Sequence, residues 1–92
     1  MADHVVGPPH EHILAEEVSD ELVLYDPVQE TFVALNSTAA DVWRMATGEY
    51  TVDEIVSSLA SSYGMPDEAI RDQVETAVRE LVEAGLLPPE ET

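Results

Sequence analysis

The sequence predicts an α+β fold: a three-stranded antiparallel β-meander followed by three α-helices. Three observations predict it. Residues 13–35 hold three short runs of aliphatic, β-branched and aromatic residues with period-two alternation, separated by turn formers. From residue 38 onward the apolar residues instead recur at intervals of three and four. The two regimes meet in residues 30–43, ETFVALNSTAADVW, which read as a strand running straight into a helix.

The elements follow in order. Residues 1–12 include Gly7, Pro8 and Pro9 and show no periodicity, so a mobile tail is expected ahead of a domain spanning 13–87. Pro88 and Pro89 open a short acidic tail, 88–92. His10 and His12 would share one face of a strand, but a bound metal normally takes more ligands than two, and no metal site is expected. The first strand covers 13–18, with Leu14, Glu16 and Val18 in alternation, and Ser19-Asp20 makes a two-residue turn. The second covers 21–25 and carries Leu22 and Leu24. Asp26-Pro27 ends it, because proline supplies no ladder N–H and presets a turn. In the third strand, 31–35, Thr31, Val33 and Leu35 fall on one face and Phe32 and Ala34 on the other.

Asn36 and Ser37 offer side-chain oxygens to a helix start. The first helix runs from Thr38 to Ala46 and stops near Gly48, with Trp43 as its core anchor. Thr51 and Glu54 form a capping box for the second helix, in which Val52, Ile55, Val56, Leu59 and Tyr63 recur at helical spacing and Ser57 and Ser58 face water. Gly64 suits its left-handed end. The third helix runs from Pro66 or Asp67 to Ala84, with Asp67 and Glu68 at its positive dipole end. Its stripe is Ile70, Val74, Ala77, Val78 and Leu81, widened by Val82. That stripe is broader than one core needs, which predicts apolar surface offered to something else. Gly85 closes the helix and lets Leu86 fold back on Leu81.

Composition excludes several functions. The 92 residues carry 3 basic and 20 acidic side chains, a net charge of −17, and the only cations are Arg44, Arg71 and Arg79. Nucleic-acid affinity comes largely from cations on phosphates, so nucleic acid is not an expected partner, and anionic membrane surfaces are disfavoured for the same reason. There is no cysteine, hence no disulfide, thiol nucleophile or thiolate metal site. No apolar run reaches the roughly 20 residues that span a bilayer, and no basic-then-apolar segment marks secretion; a cytoplasmic protein is expected. The four glycines are too scattered for a phosphate loop, and no serine sits in a nucleophile elbow. An acyl carrier protein would need Asp-Ser-Leu at a helix start, whereas Ser57-Ser58-Leu59 lies inside a helix. No enzyme activity and no cofactor are expected.

Strands joined to a short second helix and a longer third also resemble a winged-helix DNA reader. The exposed positions of that third helix are mostly acidic, Asp67, Glu68, Asp72, Glu75, Glu80 and Glu83, so the architecture would be winged-helix-like without the usual function.

The run LYDPVQETFVALNSTAADVW, followed by TVDEIVSSLASSYG and VRELVEAGLL, resembles the PqqD-like proteins, or RiPP recognition elements, over residues 13–87. The most specific part is Phe32 to Asn36 entering the Ala/Trp helix, then Thr51-Val52, Ile55 and the closing Gly85-Leu86-Leu87. The resemblance implies a winged-helix-like fold that binds the leader segment of a ribosomally made precursor peptide. The leader would add as a strand to the edge of strand three, against helix three. The AADVWR segment looks most like the stand-alone recognition proteins of lasso-peptide pathways, which implies as further partners a leader protease and the macrolactam cyclase it works with. Alternatives are a PqqD-type peptide chaperone of pyrroloquinoline quinone synthesis and an acidic winged-helix-like adaptor for another protein. On this resemblance Thr31, Phe32, Val33 and Ala34 would meet the leader through backbone and flanking surface. Ile70, Val74 and Val78 would line pockets, and Arg71 and Asp72 would pair with polar leader residues. Leu35 and Leu81 are read as core.

Overall fold

Two tight turns set the register of the sheet. β1 (Leu14–Val18) pairs antiparallel with β2 (Glu21–Asp26) through Ser19-Asp20, whose φ angles of 49° and 70° are those of a hairpin turn matched to strand twist. β2 then pairs with β3 (Thr31–Leu35) from Asp26↔Thr31 to Leu22↔Leu35, giving a sheet of order β1-β2-β3. The structure is a computed structural model that describes residues 5–88. His4 and residues 89–92 of the expected acidic tail lie outside the described residues.

Asp26 organises the second turn from inside. Its side chain is 1% exposed and accepts hydrogen bonds from the backbone N–H groups of Val28 (2.9 Å) and Gln29 (3.2 Å) and from the Gln29 side chain (2.8 Å), with His12 Nε2 3.2 Å from Oδ1. Burial would raise the Asp26 pKa; the Gln29 and Val28 hydrogen bonds, with His12 alongside, outweigh it and hold the carboxyl below its ordinary value.

α1 (Ser37–Met45) starts where the Asn36 carboxamide oxygen accepts the Ala39 N–H at 2.8 Å. α2 (Val52–Tyr63) carries the expected capping box: Glu54 N–H donates to Thr51 Oγ1 at 3.2 Å and Thr51 N–H to Glu54 Oε1 at 2.8 Å. α3 (Asp67–Glu83) ends as its sequence requires, with Gly85 N–H donating to Val82 O at 3.0 Å and Leu86 N–H to Leu81 O at 2.9 Å, Gly85 taking φ 79°. One face of the sheet (Leu22, Leu24, Leu35) packs on Val42, Ile55, Val56, Ile70, Val74, Leu81, Leu86 and Leu87, all buried. The Tyr63 hydroxyl donates to Asp41 and ties α2 to α1; burial first, then that bond and the Asp41 charge, hold the phenol above its usual pKa.

Two expectations change. The segment read as a mobile tail is docked from Val5 on: Val5 bridges Thr51, Val6 N–H donates to Tyr50 O at 2.8 Å, and Val6 is 3% exposed in the core. The cause is Gly48. It does not end α1, which closes at Ala46; its N–H binds Val6 O at 2.9 Å. The core centre of α1 is Val42, with Trp43 half-buried at the margin, because the sheet meets the Val42 side of the helix.

Candidate functional site

Among the described residues β3 has a neighbour on one side only. Which of its backbone groups are free follows from the register. The pair that closes a two-residue hairpin, Val18↔Glu21, exchanges ladder hydrogen bonds, and bonded and non-bonded pairs then alternate. Glu21, Val23 and Tyr25 therefore point their N–H and C=O groups at β1, and Leu22, Leu24 and Asp26 point theirs at β3. On β3, Thr31, Val33 and Leu35 answer β2, while Phe32 and Ala34 turn their N–H and C=O to the open edge. An open edge of this kind is a template for another extended chain.

A trough runs beside that edge. A hollow of about 100 Å³ lies between β3 and the C-terminal half of α3, lined by Val33, Ala34, Leu35, Asn36, Ala39, Ala77, Glu80 and Leu81. It continues along α1 and α3 into a second hollow of about 300 Å³ that shares Asn36, Ala39, Ala77 and Glu80 and adds Thr38, Asp72, Gln73 and Thr76. Ala39 and Ala77 keep it open, since larger side chains at these positions would fill it. Its rim carries the carboxylates of Asp72 and Glu80 and no cation, so it favours a neutral or basic peptide. Thr38 and Gln73 face each other across it at 3.5 Å.

The site residues expected from sequence divide sharply. Thr31, Phe32 and Ala34 are exposed on the edge strand, and Val33 is half-buried on the trough side. Asp72 stands on the rim. Ile70 and Val74 are 1% and 0% exposed, so they are core and have no surface to line a pocket with. Val78 is also core; what little it shows faces a different hollow, of about 530 Å³, between α3 and the start of α2, together with Val52 and Val82. The breadth of the α3 stripe is used there, on the flank away from β3. Arg71 sits on that flank too, 2.7 Å from Asp53 and 3.8 Å from Glu75; the Asp53 hydrogen bond is the main cause of its raised pKa. Of the α3 residues that line the trough, the sequence indicated only Asp72 and missed Gln73, Thr76, Ala77 and Glu80 as site residues. Their spacing of 73, 76/77 and 80 is itself a helical stripe, but a polar and small one that hydrophobic periodicity does not mark. His10 and His12 stack with ring centroids 5.8 Å apart, and His12 is engaged by Asp26. No helix among the described residues is long and apolar enough to cross a membrane.

Comparison with known proteins bears on the family and the fold. Residues 21–87 match the family of coenzyme PQQ synthesis protein D (PqqD). The PqqA binding protein of Bradyrhizobium diazoefficiens is 29% identical over 86 residues, which cover 94% of this chain and 82% of that protein. The solved structure of TbiB1 in complex with the TbiA(beta) leader peptide superposes with a TM-score of 0.80 at 17% identity, over 94% of this chain and 100% of that one. Lasso peptide synthetase B1 complexed with the leader peptide gives 0.79 at 21% identity, over 89% and 96%. At those identities the two structures share the fold: three antiparallel strands followed by three helices. With the match running from the start of β2 to the closing Leu86-Leu87, this chain belongs to the PqqD family.

Proposed function

We propose that this chain is a non-catalytic binding module for the leader segment of a ribosomally made precursor peptide. The leader adds as a fourth strand along β3 and rests its side chains in the trough against α3. The chain then presents the peptide to a leader protease and a macrolactam cyclase. The observation that carries the reading is the open edge of β3, where the Phe32 and Ala34 backbone groups lie beside an apolar-floored trough. Strand addition draws affinity from main-chain hydrogen bonds and specificity from pockets for alternate side chains; the open edge and the trough support that mode here. The family and the two leader-bound structures of like fold support it. The net charge of −17 supports a peptide rather than a nucleic acid as the ligand.

A second reading has its own support. The relative named PqqA binding protein favours a PqqA-type peptide as cargo, in a PqqD-type chaperone role. The binding edge would be the same and the cargo different.

The test is a titration of fluorescently labelled leader peptides, one from the precursor encoded beside this chain and one from a PqqA-type precursor, with duplex DNA as control. A micromolar or tighter Kd, roughly 8 kcal/mol or more, for the neighbouring leader alone supports the lasso-type reading. Preference for the PqqA-type peptide supports the second. Binding of neither peptide refutes both.

A further inference from the structure

Among the described residues the helices cover one face of the sheet and leave the other bare. We propose that this bare face is a docking surface for a partner protein whose own contact surface is apolar at its centre and bordered by lysines and arginines.

The register defines the face. Leu14, Tyr25 and Phe32 form one row across the three strands, and Glu16, Val23 and Ala34 the next; Val18 and Glu21 end it. Phe32 is 72% exposed, Leu14 58% and Val18 51%. These are three of the seven large hydrophobic side chains exposed among the described residues, gathered on one small sheet. Scattered exposed apolar residues are ordinary, but a contiguous patch marks an interaction site. The patch is also ordered: the Tyr25 and Phe32 rings stack with centroids 4.5 Å apart, so an aromatic anchor is already held in place with little rotamer freedom left to lose.

Charge selects the occupant. The only acidic or basic side chains in the two rows and at their end, apart from the Tyr25 phenol, are the carboxylates Glu16 and Glu21, and exposed Asp20 and Glu30 flank the face in the two turns. None of the three cations serves it. Arg44 is engaged by Glu17 and Asp41, and Arg71 and Arg79 lie on α3. A second copy of this chain, also at −17, would bring carboxylates against carboxylates. Nucleic acid and anionic lipid meet the same repulsion. A basic, apolar-centred protein surface is complementary in both respects.

The face also adjoins the peptide edge. Phe32 and Ala34 turn their backbones to the open edge and their side chains onto this face. A strand added there would extend the face with every second side chain of its own. The partner would thus touch both the module and its cargo, which makes the leader protease the occupant. That last step rests on the proposed strand addition; the docking face itself does not.

The experiment uses the full chain and, as probe, the purified leader protease encoded beside it, with binding followed by calorimetry at about 0.05 M and about 0.5 M NaCl. Leu14→Ser with Val18→Ser alters only β1, the strand farthest from the peptide edge, and Glu16→Lys tests charge alone in a side chain that faces water. The double variant should weaken protease binding at least about tenfold, as expected for lost interface anchors. Glu16→Lys should weaken it and flatten its salt dependence, while the leader titration stays unchanged in both. Circular dichroism checks the fold of each variant. Unaltered protease affinity in both variants, or no protease binding by the wild-type chain with or without leader, overturns the docking face and leaves the leader reading intact. Protease binding that depends on Leu14 and Val18 in a chain that binds no leader upholds the face and refutes the leader reading.

Discussion

The Gln29 side-chain amide donates to Asp26 Oδ2 at 2.8 Å, while Asp26 Oδ1 holds the Gln29 and Val28 backbone N–H groups. This contact closes the turn that delivers β3. A slip of one residue there would exchange the two faces of the strand and move the free backbone groups from Phe32 and Ala34 to their neighbours. The register of the binding edge is therefore set by a buried carboxylate outside it.

Asp26→Asn keeps the size of the side chain and removes its charge. It should lower the thermal midpoint at neutral pH. Because the folded-state pKa of Asp26 lies below its ordinary value, the stabilisation is fully present above the unfolded pKa of about 3.9 and is lost as pH falls through the folded value. Melting curves of wild type and variant should therefore differ above about pH 4 and converge in stronger acid. A gap that stays constant down to pH 2 would refute the charge-based account.

Proline scanning separates the two sides of β3. Ala34→Pro removes an N–H that faces the open edge, a position where a strand tolerates proline. It should fold normally and lose leader binding. Val33→Pro removes a ladder bond to β2 and leaves its carbonyl partner unpaired, which should destabilise the domain by about 1–3 kcal/mol. Urea unfolding with a leader titration distinguishes them; the reverse pattern would show that the parity assigned to β3 is wrong.

Core and site separate by the same logic on α3. Ile70→Ala should cost about 2–5 kcal/mol of stability and leave the leader Kd of the folded protein unchanged, because Ile70 shows 1% of its surface. Ala77→Leu should do the opposite to binding, filling the trough between α3 and β3. A Kd unaffected by Ala77→Leu would remove the trough from the site.

Gly7 is a further point of strain. It holds φ at 85°, and a Cβ there would lie 2.2 Å from the Ala46 carbonyl oxygen. Gly7→Ala should detach the segment carrying Val6 from the core and lower the thermal midpoint, with faster amide exchange at Val6 and Gly48. Leader affinity should hold, since this segment docks on Tyr50 and Thr51, away from β3.

The sequence by itself determined the elements and their ends. The period-two runs, Ser19-Asp20, the Thr51/Glu54 capping box and Gly85 each act within a few residues of chain, so local chemistry places them. It also determined that the third strand leads directly into the first helix. What it did not determine is which side of each element meets which neighbour. Ile70, Val74, Val78 and Val82 form one apolar stripe in sequence, yet packing divides it: Ile70 and Val74 are buried in the core as α3 packs on α1 and α2, Val82 is left to a hollow beside α2, and the trough falls to Gln73, Thr76, Ala77 and Glu80. Val6 joins the core only because Gly48 and Tyr50, over forty residues away, offer it backbone partners. The open groups of β3 depend on a parity that passes from the first turn through β2. These are long-range relationships, fixed when the layers close on one another, and only the tertiary structure decides them.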